Sequence, residues 1–274
     1  MLSCILLKIR RKKKGARLVM ARKIVITSGK GGVGKTTVAA HISAQLSKKG
    51  FRVVLCDADF GLNNVDVATG VEEMVVYDVV DVIEGRCRAK QALIKHPDYP
   101  NLFLLTSRSS PERYVSPQAL KIVLDALAPQ FDYIFIDSPA GIEEGFHRAV
   151  ATADEAIVVT TPHIAAIRDA DKAITVLKSY HLKEISFVLN MARGDLLLSG
   201  EHVSPKEIAT LLKIPLLGIV PEEYEIYRGD IRQAHLSFRI LAENLLKEKK
   251  KYYDVTKKYS GFFGNIRRVL KRKL

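Results

Sequence analysis

Residues 23–37 read KIVITSGKGGVGKTT, a short apolar run followed by a glycine-rich loop and the start of a helical pattern. The β-branched run 23–28 predicts a strand, and the pattern from Thr36 to Lys49 predicts a helix. Gly29–Thr36 fits G-x-x-x-x-G-K-[ST] between these two elements, which is the context that a phosphate-binding loop requires. The stretch therefore predicts a nucleotide site and a P-loop NTPase fold.

The rest of the chain repeats the same alternation of short apolar runs and helical patterns. Further strands are predicted at 52–59, 101–106, 131–139, 155–162, 185–191 and 215–221, and further helices at 117–127, 145–153, 163–180, 204–212 and 236–250. Near-continuous apolar strands between helices are typical of a parallel sheet that is covered on both faces. We expect an α/β, doubly wound, mostly parallel sheet with its ligand along the edge where the strands end.

The glycine-rich loop supplies the groups that hold phosphate. Its backbone N–H groups turn inward at the positive end of a helix dipole, Lys35 reaches the β- and γ-phosphates, and the Thr36 hydroxyl holds Mg²⁺. The expected cofactors are therefore ATP and Mg²⁺. The predicted nucleotide contacts in this loop are Gly29, Gly31, Gly32, Val33, Gly34, Lys35, Thr36 and Thr37.

Three acids end predicted strands near this loop. Asp137 follows an apolar strand, in the position where Mg²⁺ needs a carboxylate. Asp57 and Asp59 end the second strand and are candidates to hold a metal-bound water and the attacking water. A strand-end Asp also serves as a turn or helix cap. The predicted metal residues are thus Thr36, Asp57 and Asp137.

Lys30 is a second lysine in a loop whose motif requires only Lys35. It is poorly placed to repeat the role of Lys35. It either reaches the nucleotide of a second, facing copy, as an arginine finger does in trans, or is a solvent-exposed lysine. Spacing alone leaves both readings open.

The sequence KGGVGKTT is similar to the deviant Walker A signature of the MinD/ParA ATPases. From about Met20 to Glu223 the chain most resembles the bacterial MinD group, which positions the cell-division site, in segments such as DADFGLNNVDVATG, DSPAGIEEGF and IRDADKAI. The resemblance implies slow, partner-stimulated ATP hydrolysis by an ATP-dependent homodimer that cycles between the cytoplasm and the inner face of the membrane. It also implies a MinC-like division inhibitor and a MinE-like or other activator as partners.

The same resemblance implies roles for individual residues. Lys30 would act across the dimer, Asp59 would lie at the hydrolytic water, and Asp57 and Asp137 would serve Mg²⁺. The catalytic set is therefore Lys30, Lys35 and Asp59. By the same resemblance, Asn190 contacts adenine, Arg168 and Asp169 mark the partner-binding region, and Gly61–Asn64 form a nucleotide-sensitive switch.

Two segments, 107–117 and 224–238, depart from the family pattern, and the second leaves the detail of the dimer face open. Flagellar-number regulators related to MinD and ParA-type DNA partition ATPases are the alternative functions. An iron–sulfur reductase is disfavoured, because it would need bridging cysteines, whereas Cys56 lies inside a predicted strand and Cys87 in a different segment. The three cysteines (Cys4, Cys56 and Cys87) form no CxxC pair or metal-ligand spacing. Their number is typical of a reduced, cytosolic protein.

Charge is concentrated at the two ends of the chain. Residues 1–22 carry +8 and residues 247–274 carry +9 in a total of +13, so the residues between them carry −4. Residues 1–19 are expected to be a basic leader, with Met20 an alternative start. Residues 20–246 are the predicted ATPase domain, and 247–261 a polar tether.

Residues 262–274 read FFGNIRRVLKRKL and predict a basic amphipathic helix. At about 100° per residue, the apolar side chains fall within roughly a 140° arc, and four of the five cations lie opposite. This segregation favours an anionic membrane surface over nucleic acid as the partner. A last helix packed on the core is the alternative.

Overall fold

The computed structural model describes residues 20–60, 62, 64–107, 115–227, 230–232, 235–247, 250–260 and 264. The predicted leader 1–19 and the predicted amphipathic helix 262–274, apart from Gly264, lie outside the described residues, as do Gly61 and Asn63 of the predicted switch.

An eight-stranded sheet forms the centre of the domain, in the order β3-β4-β2-β5-β1-β6-β7-β8. All strand pairs are parallel except β3 with β4. The predicted mostly parallel sheet is therefore confirmed. The strands are β1 (Arg22–Thr27), β2 (Val53–Asp57), β3 (Ile94–Lys95), β4 (Leu102–Leu105), β5 (Tyr133–Asp137), β6 (Glu155–Thr160), β7 (Glu184–Ala192) and β8 (Leu216–Pro221).

Helices cover both faces of the sheet. They are α1 (Lys35–Lys48), α2 (Val65–Thr69), α3 (Val79–Ile83), α4 (Ala89–Ala92), α5 (Pro117–Leu127), α6 (Glu144–Val150), α7 (Ile164–Leu177), α8 (Gly194–Ser199), α9 (Pro205–Leu212), α10 (Tyr224–Tyr227) and α11 (Leu236–Asn244). In β1, Ile24 and Ile26 pack toward α1 and α11, whereas Val25 packs toward α5, α6 and α7. This alternation is the side-chain period of a strand that is buried on both faces.

Local sequence explains where several helices begin. Ser116 caps α5 by accepting a hydrogen bond from the Ala119 N–H at 3.2 Å, and Pro117 follows at the first helical position. Ser204 and Glu207 form a capping box around the start of α9. Both arrangements satisfy backbone N–H groups that a helix leaves free at its start.

The structure differs from the sequence prediction in several regions, and the short helices α8 and α10 are among the elements that were not predicted. Residues 65–95 contain the short helices α2, α3 and α4 and the antiparallel edge strand β3, none of which was predicted. The last predicted helix was expected to reach residue 250, but α11 ends at Asn244. The side-chain amide of Asn244 donates hydrogen bonds to the carbonyls of Leu217, in β8, and Lys251, both at 2.7 Å. These bonds hold the chain after α11 beside β8, so it does not continue as a helix.

Residues 250–260 lie within the segment expected to be a polar tether, and they pack against the domain. Val255 and Tyr259 are buried, at 5% and 6% exposure. A short 3₁₀ turn, Lys257–Tyr259, ends this packed stretch. The strongly charged composition of the segment had obscured these two buried side chains.

The carboxyl ends of the parallel strands lie along one edge of the sheet, where β1 leads into the glycine-rich loop. Asp57 and Asp137 end the neighbouring strands β2 and β5 and are paired in register. In the described part of the chain, no helix is both long enough and apolar enough to cross a membrane.

Candidate nucleotide-binding site

The glycine-rich loop joins the end of β1 to the start of α1, as predicted. Gly32 and Gly34 have φ angles of 76° and 87°, in the left-handed region that glycine adopts without steric cost. A Cβ at Gly34 would also overlap the side-chain amide of Asn190. The loop can therefore approach the end of β7 only because this position is a glycine.

Gly29, the first residue of the motif, lies against the backbone of α7. A Cβ at this position would overlap the carbonyl group of Asp169. The start of the loop is thus in direct contact with the helix that carries Arg168 and Asp169.

The loop borders a pocket of about 690 Å³ at the carboxyl edge of the sheet. This volume lies in the range of small-molecule sites. The pocket brings together predicted site residues from three separate strands. Those that line it are Gly31, Gly32, Gly34, Lys35, Thr36, Thr37, Asp59 and Asn190.

Thr36 and Asp137 form one side of a potential metal site. The Thr36 hydroxyl donates a hydrogen bond to Oδ2 of Asp137 at 2.5 Å. Among the residues that the structure describes, the buried Oδ1 of Asp137 has no hydrogen-bond partner. Burial raises the pKa of Asp137 to about 6, although the Thr36 hydroxyl and the charge of Lys35 act in the opposite direction. A buried carboxylate oxygen without a partner fits a cation or a water bound to it.

Asp57 has a different environment from the one expected of a metal residue. Its Oδ1 accepts the N–H of Asp59 at 2.9 Å, and its Oδ2 accepts the N–H groups of Asn64 and Val65 at 3.0 and 3.2 Å. Burial, and then the charge of Asp137, raises the pKa of Asp57 to about 7 against the effect of these donors. Asp57 therefore holds the turn between β2 and α2, and its metal role stays a prediction.

Lys35, at the start of α1, and Asp59, just after β2, both line the pocket. Burial lowers the pKa of Lys35, and the charges of Asp137 and Asp59 partly restore it. Asp59 is half-buried, and its carboxylate accepts the N–H of Leu62 at 3.3 Å. The pocket is thus lined by both a cation and a carboxylate.

Asn190 links β7 to the loop. Its side-chain amide donates to the carbonyl of Val33 at 2.8 Å, while the Val33 side chain is buried against α1. Asn190 therefore both lines the pocket and fixes the loop.

Lys30 has an exposed side chain and does not line this pocket. Its backbone carbonyl accepts the Ser28 hydroxyl at 2.7 Å, which fixes the backbone from which the side chain projects. Within the described residues, its amine makes no hydrogen bond or ion pair. This placement fits a group that acts outside its own pocket.

Sequence reasoning missed several residues that form the pocket walls. They are Val67, Ala68, Pro139, Ala140, Met191, Pro221, Glu222, Glu223 and Ile226; Leu62 and Asn64, which also line the pocket, belong to the predicted switch. Most carry no chemistry that a motif would reveal, and the fold alone brings them together. The positive φ of Met191, 54°, turns the chain at the end of β7 next to Asn190.

A second, smaller groove lies between α7 and α9, on the side of α7 where Arg168 is exposed. It has a volume of about 360 Å³ and is lined by Ile164, Ile167, Arg168, Asp171, Val203, Leu211 and Leu212. Ile164 and Leu211 are 63% and 59% exposed. We refer to it as the α7–α9 groove.

Comparison with known proteins identifies the family. Residues 19–236 match the model of the ParA family, described as "NUBPL iron-transfer P-loop NTPase". The iron transfer in that description belongs to the protein that it names. Cys56 of this chain is buried inside β2.

The chain is also similar to individual proteins over most of its length. It is 38% identical to the septum site-determining protein MinD of Synechocystis sp. over 92% of this chain and 99% of that protein. Its fold matches MinD in the MinC:MinD cell division complex of Aquifex aeolicus with a TM-score of 0.77, at 35% identity over 85% of this chain and 100% of that chain. MinD of Pyrococcus horikoshii complexed with Mg-ADP matches with a TM-score of 0.74, at 31% identity over 82% and 96%.

These matches cover the glycine-rich loop, the sheet and the helices on both faces. The chain therefore belongs to the MinD septum site-determining ATPases of the ParA family of P-loop NTPases.

Proposed function

We propose that this ATPase forms a homodimer when ATP is bound, cycles onto the inner face of the cell membrane and there recruits a MinC-like division inhibitor. The pocket that combines the glycine-rich loop, Lys35, Thr36 and Asp59 carries this proposal, because it is lined by a phosphate-binding loop, a lysine, a hydroxyl and a carboxylate, all of which phosphoryl transfer uses.

In this proposal the loop N–H groups, Lys35 and Thr37 bind the phosphates of ATP, and Asn190 lies at the adenine. Thr36 and Asp137 would hold Mg²⁺, since Oδ1 of Asp137 is buried without a partner within the described residues. The ion would neutralise charge on the β- and γ-phosphates. Asp59 orients the attacking water from the opposite wall of the pocket.

A facing copy would close the pocket. Two exposed apolar side chains line this pocket: Leu62 and Val67 are 71% and 66% exposed. Isolated apolar residues are common on protein surfaces, but a group of them around one opening is typical of an interface. Lys30 projects outside its own pocket, so we assign it to the triphosphate of the facing subunit.

The α7–α9 groove is the proposed site for the inhibitor and for an activator that stimulates hydrolysis. It offers exposed Ile164 and Leu211 beside the charges of Arg168 and Asp171. Apolar anchors beside charged groups are the usual composition of a protein interface. The contact of Gly29 with Asp169 connects this surface to the phosphate loop.

Membrane binding is assigned to residues 262–274. The support is the sequence pattern, in which an apolar stripe lies opposite four cations. One short amphipathic helix binds lipid weakly and reversibly, so two copies on a dimer would raise the avidity by roughly 10² to 10⁴.

The oligomeric state in ATP and in ADP tests this proposal. Analytical ultracentrifugation should show a dimer with a non-hydrolysable ATP analogue and a monomer with ADP. Lys30→Ala should bind the analogue and remain monomeric, whereas Lys35→Ala should lose nucleotide binding. A wild-type protein that stays monomeric with the analogue, or a Lys30→Ala protein that dimerises normally, would contradict the proposal.

A further inference from the structure

Residues 250–260 form a packed segment between the ATPase domain and the C-terminal tail, and we call this segment the strap. Sequence composition predicted a free polar tether here, but Val255 and Tyr259 are buried. Gly264 is also buried and lies against the backbone of Tyr259. The strap is attached to the domain at three places.

The first attachment is at the edge strand β8. Asn244, at 3% exposure, donates to the carbonyls of Leu217 and Lys251 and accepts the Lys251 N–H at 3.0 Å. The Tyr252 hydroxyl donates to the carbonyl of Leu216 at 3.1 Å. The start of the strap therefore covers backbone groups of a sheet edge that would otherwise be exposed.

The second attachment is at the start of α8. A Cβ at Gly194 would overlap the carbonyl group of Val255 and come within 2.9 Å of the Tyr259 ring. Gly194 follows Asn190 and Met191, which line the nucleotide pocket, by only a few residues. The strap thus packs against the chain that continues from this part of the pocket lining.

The third attachment joins the strap to the chain that follows β8. Lys258 Nζ donates to Oε1 of Glu223 at 2.6 Å, and Glu223 lines the nucleotide pocket. His235 lies 3.4 Å from the same carboxylate, and its ring stacks edge-on against Tyr253 of the strap, with centroids 5.0 Å apart. Glu223 is therefore shared between the pocket and the strap.

We propose that docking of the strap, held by Lys258 on Glu223 and by Val255 and Tyr259 on Gly194, fixes the point at which the membrane-binding tail leaves the domain. This point lies beside the nucleotide pocket, and hence beside the proposed dimer face. The inference rests on the proposed ATP-dependent dimer and its membrane-binding tail.

Docking matters because it shortens the free linker. An undocked chain would have about fifteen flexible residues (247–261) before the tail, whereas the docked strap leaves only about two. The effective concentration of a second tail falls roughly as the −3/2 power of linker length. Complete undocking should therefore weaken membrane binding of the dimer by up to roughly twentyfold, and partial undocking by less, while a single tail on a monomer should bind as before.

The test compares Lys258→Ala with Lys257→Ala in the full chain. Both variants remove one cation at neighbouring exposed positions, but only Lys258 pairs with Glu223. Amide hydrogen exchange over 252–259 and sedimentation with phosphatidylglycerol-containing vesicles are measured in ATP and in ADP. Lys258→Ala should raise exchange in the strap and weaken ATP-dependent binding three- to tenfold more than Lys257→Ala, with equal binding of the two variants in ADP.

Gly194→Ala provides a second route that leaves charge unchanged. Its methyl group would displace the strap from α8, so it should reproduce the exchange and the binding loss of Lys258→Ala. Unchanged exchange in both variants, or equal ATP-dependent binding of Lys258→Ala and Lys257→Ala, would overturn the inference. If the wild-type chain binds vesicles equally in ATP and ADP, the proposed function is wrong. If wild-type binding requires ATP but the variants behave like wild type, only the inference about the strap is wrong.

Discussion

Thr36 and Asp137 are joined by a 2.5 Å hydrogen bond between the start of α1 and the end of β5. The bond connects a residue of the phosphate loop to a strand-end acid about one hundred positions later in the chain. It leaves Oδ1 of Asp137 buried and without a partner in the described part of the molecule.

Asp137→Asn should weaken Mg²⁺ binding while preserving the fold. The amide keeps the shape of the carboxylate but removes its charge, so we expect roughly 10- to 100-fold lower Mg²⁺ affinity and correspondingly slower ATP hydrolysis at low Mg²⁺. Hydrolysis measured across a Mg²⁺ titration checks this, with the exposed Asp98→Asn as the control. Equal Mg²⁺ dependence of Asp137→Asn and wild type would remove Asp137 from the metal site.

Asp59→Ala should bind ATP and dimerise but fail to hydrolyse it. Asp59 lines the pocket yet belongs neither to the phosphate loop nor to the Thr36–Asp137 pair, so its loss should spare binding. Single-turnover hydrolysis and nucleotide affinity, measured on the same preparation, separate the two effects. Normal turnover in this variant would refute its assigned role in orienting water.

Gly29→Ala should destabilise the domain, whereas Gly31→Ala should not. The first methyl group would overlap the Asp169 carbonyl, and such overpacking costs about 1–3 kcal/mol in the free energy of unfolding. A Cβ at Gly31 would meet only the Ala140 side chain at 4.0 Å, so a change within about 0.5 kcal/mol is expected. Denaturant unfolding without nucleotide compares the pair, and equal stabilities would show that the loop does not press on α7.

His41 should make the domain sensitive to acid. Its ring stacks on Phe238 at 4.1 Å, and among the described residues neither ring nitrogen has a hydrogen-bond partner. Burial lowers the pKa of His41 to about 4 from 6.5, so the unfolded chain binds the extra proton between these values. Stability from this group therefore rises as pH increases from 4 to 6.5, by at most about 3 kcal/mol.

His41→Phe should reduce this loss of stability at low pH, because the stacked ring stays and the titrating group is removed. Unfolding free energies at pH 7 and pH 4.5 measure the effect, and the exposed His181→Phe is the matched control. If His41→Phe and wild type lose equal stability on acidification, His41 is not the acid-sensitive group.

The sequence predicted those parts of the site that depend on local spacing. Gly29–Thr37 is contiguous, and a strand and a helix flank it in the chain, so its geometry required no tertiary information. The fold class followed similarly, from strands that are apolar on both faces. Asp137 was identifiable because it ends such a strand, and Asp59 because it follows the end of another by two residues.

Other features depend on contacts between distant parts of the chain. The binding of Asp57 by the N–H groups of Asn64 and Val65 arises from the path of the turn that follows β2. Glu223 lines the pocket because β8 ends next to the end of β7. In the strap, Val255 and Tyr259 have the i, i+4 spacing of a buried face, a signal that the surrounding lysines outweighed.

Sedimentation with anionic vesicles, in ATP and in ADP, tests the central claim most directly. The full chain is compared with one that ends at Tyr259 and therefore keeps the strap but lacks the tail. Binding that requires both ATP and the last fifteen residues is the result expected of a dimer that holds the membrane through two tails. Equal binding in both nucleotides, or binding that survives removal of the tail, would contradict the account.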